Sequence, residues 1–341
     1  MRAVRLLRKG APLGNSDLDD PEPGPGEIVV DIHSAGICHS DAHYRTDSRR
    51  LTLPLTLGHE IAGTVSWVGE GVDGFLFGDR VALHYLLSCG ECSACLHDGE
   101  QFCARGAMLG KERDGGYAEK IVVPARNAVP IPDEVRFGDA AIMMCSTATA
   151  HHALHLASVQ QGESIAILGF GGLGISAAQL AGRLDPSGIF AVDVVHEKLE
   201  LAESFGAVPI DASHTNVRDE LLGATGGRGV DVVLDFAGNS ATSLQALRSL
   251  APGGRFMVVA INLRALDLDP YADILARERR IIGCSDHTRG ELVELMDLAR
   301  RGELDLSQAI TRTVPLDADA INEVLDDLDA GTPHLRTIIE V

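Results

Sequence analysis

The stretch Ser164-Ile165-Ala166-Ile167-Leu168-Gly169-Phe170-Gly171-Gly172-Leu173-Gly174 decides the fold. Its apolar half reads as a buried strand. It runs straight into glycines spaced G-x-G-x-x-G, and residues 175–184 continue as a helix. The next apolar run, Ile189-Phe190-Ala191-Val192, ends on Asp193. Strand, glycine turn, helix and a second strand closing on a carboxylate form a unit suited to a dinucleotide. The first glycine permits the tight turn, the second lets a pyrophosphate approach the backbone, and the third lets helix and strand pack closely. The anion then meets the helix N-terminus. Gly169, Gly171, Gly172, Leu173 and Gly174 are the expected cofactor loop. Asp193 is expected to accept ribose hydroxyls and repel a 2′-phosphate, which favours NAD over NADP.

Toward the C-terminus the rhythm continues. A helix is expected over 197–205, a strand over 230–234 ending at Asp235, a helix over 242–250 and a strand over 255–260. After 281–283 come a helix over 291–301, a loop and a short terminal strand. Strands alternating with amphipathic helices imply a parallel sheet covered on both faces.

Toward the N-terminus the pattern is β-rich. Pro21-Glu22-Pro23-Gly24-Pro25-Gly26 punctuates the chain, and the β-branched run 27–32 reads as a strand delivering Cys38 to a loop or helix start. From 59 to 83, short apolar runs broken by glycines suggest twisted antiparallel strands. Chemistry-bearing residues fall at the rims of these elements. Gly36-Ile37-Cys38-His39-Ser40-Asp41-Ala42-His43 supplies a thiol, then a hydroxyl, then an imidazole, the set needed to move a proton away from a metal-bound oxygen. Leu57-Gly58-His59-Glu60 adds an imidazole beside a carboxylate. Catalytic zinc takes three protein ligands and leaves one position open. Cys38 and His59 are two candidates, and Cys145 is the best third.

Cys89, Cys92, Cys95 and Cys103 follow the spacing C-x2-C-x2-C-x7-C, and four thiolates from one excursion of the chain close a tetrahedral structural zinc site. An iron–sulfur cluster is the rival, but the run lacks the C-P ending and a second cysteine group. A zinc ribbon for nucleic acid fits poorly with Glu91, Asp98 and Glu100 in the same loop.

At 341 residues the chain has room for two domains. The 49 acidic against 29 basic side chains, a formal charge of −20, disfavour nucleic acid and anionic membranes as partners. No apolar run is long enough to span a bilayer. The N-terminus intersperses charge among its apolar residues, unlike a signal peptide. Seven cysteines at metal-like spacings without an export signal point to thiol and zinc chemistry in the cytoplasm, whereas disulfide frameworks belong to small secreted domains.

In this order, Gly58-His59-Glu60 with Gly63, Gly78-Asp79-Arg80-Val81, the four-cysteine lobe, Asp114-Gly115-Gly116-Tyr117-Ala118-Glu119, Cys145 and the dinucleotide motif resemble the zinc-dependent medium-chain alcohol dehydrogenases. The resemblance covers nearly the whole chain. It implies an α/β protein with a GroES-like, β-rich catalytic domain (1–146, with a zinc lobe at about 88–104, and 284–341) and a doubly wound Rossmann domain (147–283). It further implies that Cys38, His59 and Cys145 bind catalytic zinc, with Glu60 able to exchange onto the metal and Asp41 orienting His59. Ser40 would take the substrate proton and His43 would pass it to solvent. His39 and Arg336 match pyrophosphate contacts, Thr149 matches a nicotinamide contact, and Tyr85 matches the pocket aromatic. Lys198 is read as a further cofactor contact.

Thr147, Leu335 and Tyr85 depart from common residues of the family, and His151 and His152 read as a helix face. These departures bear on the pocket and leave the metal set intact. The expected activity is reversible hydride transfer between a primary or small secondary alcohol and NAD, with two zinc ions per chain, in a homotetramer or, next, a dimer. A polyol dehydrogenase is disfavoured by Cys145. A silent nucleotide-binding relative is disfavoured by the complete set Cys38, Ser40, His43, His59 and Cys145.

Overall fold

The computed structural model describes residues 1–47, 51–262, 264–331 and 335–341. It divides into two compact units, Met1–Ala148 with His287–Val341, and Thr149–Asp286.

The second unit holds a six-stranded sheet in which every neighbouring pair is parallel. Its spatial order is Val208–Asp211, Gly188–Asp193, Ser164–Leu168, Val230–Asp235, Leu250–Val258, Arg280–Gly283. This is the 3-2-1-4-5-6 order of a doubly wound dinucleotide fold. Central strands must be apolar on both faces in such a sheet, and all five residues of Ser164–Leu168 are buried. Ala166, Leu168, Val192, Val233 and Phe256 share one core.

The first unit is built on a mixed seven-stranded sheet. Glu27–Ile37 pairs with Glu60–Val68, Lys120–Pro124 and Arg336–Glu340, all antiparallel. Arg336–Glu340 also pairs in parallel with Ile310–Pro315. Arg80–Leu83 lies beside Glu60–Val68, again antiparallel. Ile28, Val30, Ile61, Leu83, Tyr117 and Ile339 meet in its core.

Several elements differ from expectation. The stretch after the helix expected over 291–301, expected as a loop before a short terminal strand, contains the strand Ile310–Pro315 and the helix Ala318–Ala330. That helix is capped by Asp317, which accepts from Asp319 N and Ala320 N, and it buries Ile321, Val324 and Leu325 on one stripe. Val208–Asp211 is an unanticipated edge strand. The helix expected over 242–250 runs from Ser240 to Arg248, because Asn239 caps it early and Leu250 already begins the next strand. No helix of the described residues is long and apolar enough to cross a membrane.

Candidate active site

Strand Glu27–Ile37 ends where helix His39–Thr46 begins, and Cys38 is that helix's N-cap. Asp41 ties this junction to the loop that carries the next ligand candidate, between strands Leu55–Thr56 and Glu60–Val68. Its carboxylate accepts from Cys38 N at 2.9 Å and from Gly58 N at 3.2 Å, and lies 3.4 Å from His59 Nδ1. Gly58 is required here, since its φ of +91° is left-handed and a Cβ would fall 2.4 Å from the Tyr117 ring. Cys145 arrives on a single π-helical turn, Met143–Thr147, a device that recurs at functional sites.

The result is a compact donor set. One ligand atom each of Cys38, His59, Glu60 and Cys145 lies within 4.8 Å of all the others. The site is almost fully closed, with His59 and Glu60 at 1% and 0% exposure. His59 Nε2 and Glu60 Oε1 are buried without a hydrogen-bond partner among the described residues. Buried polar atoms are rarely left so, and this donor set fits a zinc ion with Nε2 as its nitrogen ligand.

The electrostatics agree. A hydrogen bond from Cys145, with help from His59, holds the Cys38 thiol well below its ordinary range against burial, while Cys145 is pushed well above it as the partner keeping the proton. Burial opposes protonation of His59, but Asp41 and then Cys38 hold its pKa well above the usual value. Burial pushes Glu60 up to about 7, against the pull of Arg336. The Arg336 guanidinium donates to Glu60 Oε2 deep in the core. Arg336, matched by the resemblance to a pyrophosphate contact, is here paired with the carboxylate beside His59.

Around this centre, Ser40 Oγ is 3.9 Å from Cys38 Sγ. The Tyr85 ring stands edge-on to His59, with centroids 5.1 Å apart. His39 and His43 sit together on the exposed side of helix His39–Thr46, with ring centroids 5.1 Å apart.

The four-cysteine lobe gathers a second set. Sulfur–sulfur distances are 3.5 Å for Cys92–Cys95 and 3.8 Å for both Cys89–Cys95 and Cys92–Cys103. A tetrahedron of thiolates at about 2.3 Å from zinc has edges of about 3.8 Å, so the lobe has the right size. Arg105 donates to Cys89 Sγ at 3.1 Å. The amide of Glu91, first among several donors, draws the Cys89 thiol down to about 6.

In the second unit, helix Gly172–Gly182 starts at Gly171 with no side-chain cap. Its first amides are open to an anion, and a Cβ on Gly171 would meet nothing within 4 Å, which leaves a cradle of the kind a pyrophosphate fills. At Gly174 a Cβ would lie 2.4 Å from Gly169 O, so turn and helix close only on glycine. Asp193 Oδ2 accepts from Phe170 N at 2.7 Å, and Oδ1 accepts from Val194 N and Val195 N. Leu173 lies in the first turn of that helix, Lys198 in the helix His196–Ser204, and Thr149 in Ala148–Ala157.

Three features escaped the sequence reading. They are the π turn beneath Cys145, the Glu60–Arg336 pair, and the buried rings of His84 and His287 with half-buried Glu100 beside them, next to Tyr85. Most of these residues lie in or beside stretches the sequence had marked, but their grouping did not show there.

Two family models match, an alcohol dehydrogenase GroES-like domain over residues 24–133 and a zinc-binding dehydrogenase domain over 172–301. An NAD-dependent alcohol dehydrogenase of Sulfolobus acidocaldarius is 33% identical, with all of both chains covered. An alcohol dehydrogenase of Geobacillus stearothermophilus is also 33% identical with full coverage of both. The solved alcohol dehydrogenase from Thermus sp. ATN1 superposes with a TM-score of 0.93 at 28% identity, again over the whole of each chain. Two matching domain models and full-length relatives at one-third identity thus establish that this chain belongs to the zinc-dependent medium-chain alcohol dehydrogenase family.

Proposed function

We propose that this protein transfers hydride reversibly between a primary or small secondary alcohol and NAD, working in the cytoplasm as a homotetramer. Cys38, His59 and Cys145 would hold one zinc ion, and Cys89, Cys92, Cys95 and Cys103 a second, structural one. The observation that carries the reading is the closed cluster of Cys38, His59, Glu60 and Cys145 with Ser40 beside it.

When bound, zinc supplies a Lewis acid that favours loss of the alcohol proton, and the nicotinamide supplies the hydride acceptor. The side chains supply the rest. Asp41 fixes the His59 ring and keeps Nε2 turned to the ligand position. Ser40 Oγ takes the substrate hydroxyl proton, and exposed His43 hands it to solvent. Glu60, neutralised by Arg336, is a fourth donor at the same centre. Tyr85 bounds the space beside His59 and limits the alcohol's bulk. The amides of the Gly171 turn take the pyrophosphate, with His39, Lys198 and Thr149 as further cofactor contacts. Asp193 favours a ribose without phosphate.

The test is reduction of NAD and NADP by the purified protein with primary, secondary, aromatic and polyhydroxy alcohols. Metal content is measured on the same preparations. Turnover with NAD on simple alcohols and two zinc ions per chain are expected. Cys38→Ser should lose one zinc and turnover while keeping the fold, and recovery of two metals from that variant refutes the ligand assignment. Absence of turnover with every alcohol, with NAD and both metals bound, returns the chain to a silent nucleotide-binding role.

A further inference from the structure

The region between the four-cysteine lobe and His59 is filled by rings. His84 and His287 lie with centroids 5.2 Å apart, and both face Tyr85, at 6.1 Å and 5.3 Å. Tyr85 in turn meets His59 edge-on. All four are buried, none above 2% exposed. The backbone on either side of Tyr85 is clamped by Asn127, whose Nδ2 donates to His84 O and Leu86 O at 2.8 Å each. With the backbone held, the ring's orientation is set by what packs on it.

The outer end of this packing belongs to the lobe. Glu100 opens the 3-10 turn Glu100–Phe102, and its carbonyl accepts from Cys103 N at 3.0 Å, so its place follows a metal-lobe cysteine. Its carboxylate accepts from Arg289 N and lies 3.9 Å from His84 Nδ1. Arg289 begins the helix Arg289–Arg300 two residues after His287, and its guanidinium donates to Arg126 O and Ala128 O. Glu100 therefore lies against His84 at van der Waals distance and reaches His287 only through the backbone at Arg289. Burial, followed by the charge of Arg289, lowers the His84 pKa to about 4, so His84 packs as a neutral ring.

We propose that Glu100 is a positioning residue for the alcohol pocket: it carries the geometry of the four-cysteine lobe through His84 and His287 to the Tyr85 ring. The proposal rests on the reading of Tyr85 as a pocket wall. It assigns the lobe a part in substrate selection alongside its structural one, with no part in metal chemistry at His59.

The experiment compares Glu100→Ala, Glu100→Gln, His84→Leu and Tyr85→Ala in the metal-replete full chain. It records KM and kcat for straight-chain alcohols of increasing length, metal content and NADH binding. For Glu100→Ala we expect the KM profile along the series to shift on the order of tenfold, the scale of discrimination by one methylene in an apolar pocket. Its kcat should stay within about twofold, with metal content and NADH binding as in the wild type. Glu100→Gln, which keeps an oxygen acceptor for Arg289 N, should restore most of the profile. An unchanged profile in Glu100→Ala, or a fall in kcat with loss of the metal at His59, overturns the proposal. Should Glu100→Ala fail to fold or lose the lobe metal, His84→Leu, which leaves the lobe untouched, decides, and an unchanged profile there overturns it. A profile altered by Tyr85→Ala alone refutes positioning while sparing the pocket reading. A profile unmoved by Tyr85→Ala refutes both.

Discussion

Asp41 shows how much can hang on one side chain. Its carboxylate caps the helix that carries Ser40 and His43, receives the Gly58 amide and faces His59 Nδ1. Asp41→Asn preserves size and an acceptor but removes the charge that orients the imidazole. Zinc affinity should fall 10–100-fold, as is usual when such a supporting group is lost, and competition with a chromophoric chelator would measure it. His84 offers a different residue-scale test. Between about pH 6.5 and 4 the unfolded chain protonates this imidazole while the folded protein does not. Its contribution leaves stability intact above 6.5 and removes it progressively as the pH falls toward 4. The gap between about 4 and the ordinary 6.5 corresponds to about 3 kcal/mol. Urea unfolding of wild type and His84→Leu across this range should show the wild type losing more stability on acidification. Parallel curves would contradict the buried neutral ring.

At the level of elements, the caps govern where helices begin. Thr288 accepts from Glu291 N, and the Glu291 carboxylate accepts from Thr288 N at 2.8 Å, a reciprocal box that starts helix Arg289–Arg300. Thr288→Ala should lower stability by about 1 kcal/mol, read as an earlier denaturation midpoint, and a variant matching wild type would show the box to be idle. The βαβ rhythm around 164–193 was legible because strand period, glycine spacing and terminal carboxylate are all local. The two donor clusters were legible by residue type, since thiol and imidazole at such spacings have few other uses. The π turn was not, because Met143-Met144-Cys145-Ser146-Thr147 reads the same with or without its wider turn. Neither was the His84, His287 and Glu100 group, because His287 joins the other two from a distant part of the chain and no spacing announces the meeting. Helix Ala318–Ala330, where a loop is expected, carries a local signal of its own in Asp317 ahead of Ile321, Val324 and Leu325.

For the molecule as a whole, each unit carries a carboxylate tied into its proposed site, Glu60 in the β-rich unit and Asp193 in the parallel sheet. Asp193 also holds the glycine turn through Phe170 N. Asp193→Ser should therefore weaken NADH binding and narrow its advantage over NADPH, both measurable by nucleotide fluorescence titration, and an undiminished NADH preference would place discrimination elsewhere. Glu60 depends on a partner from the far end of the chain. Arg336 begins the strand that lies between Glu27–Ile37 and Ile310–Pro315. During translation the ribosome releases Cys38, His59 and Cys145 long before it makes Arg336. A nascent chain therefore presents the three proposed zinc donors and Glu60 before the counter-ion of that carboxylate exists. The pair spans 276 residues of sequence, so a nascent chain that has not yet reached residue 336 cannot form it, and burial then favours the neutral acid at Glu60.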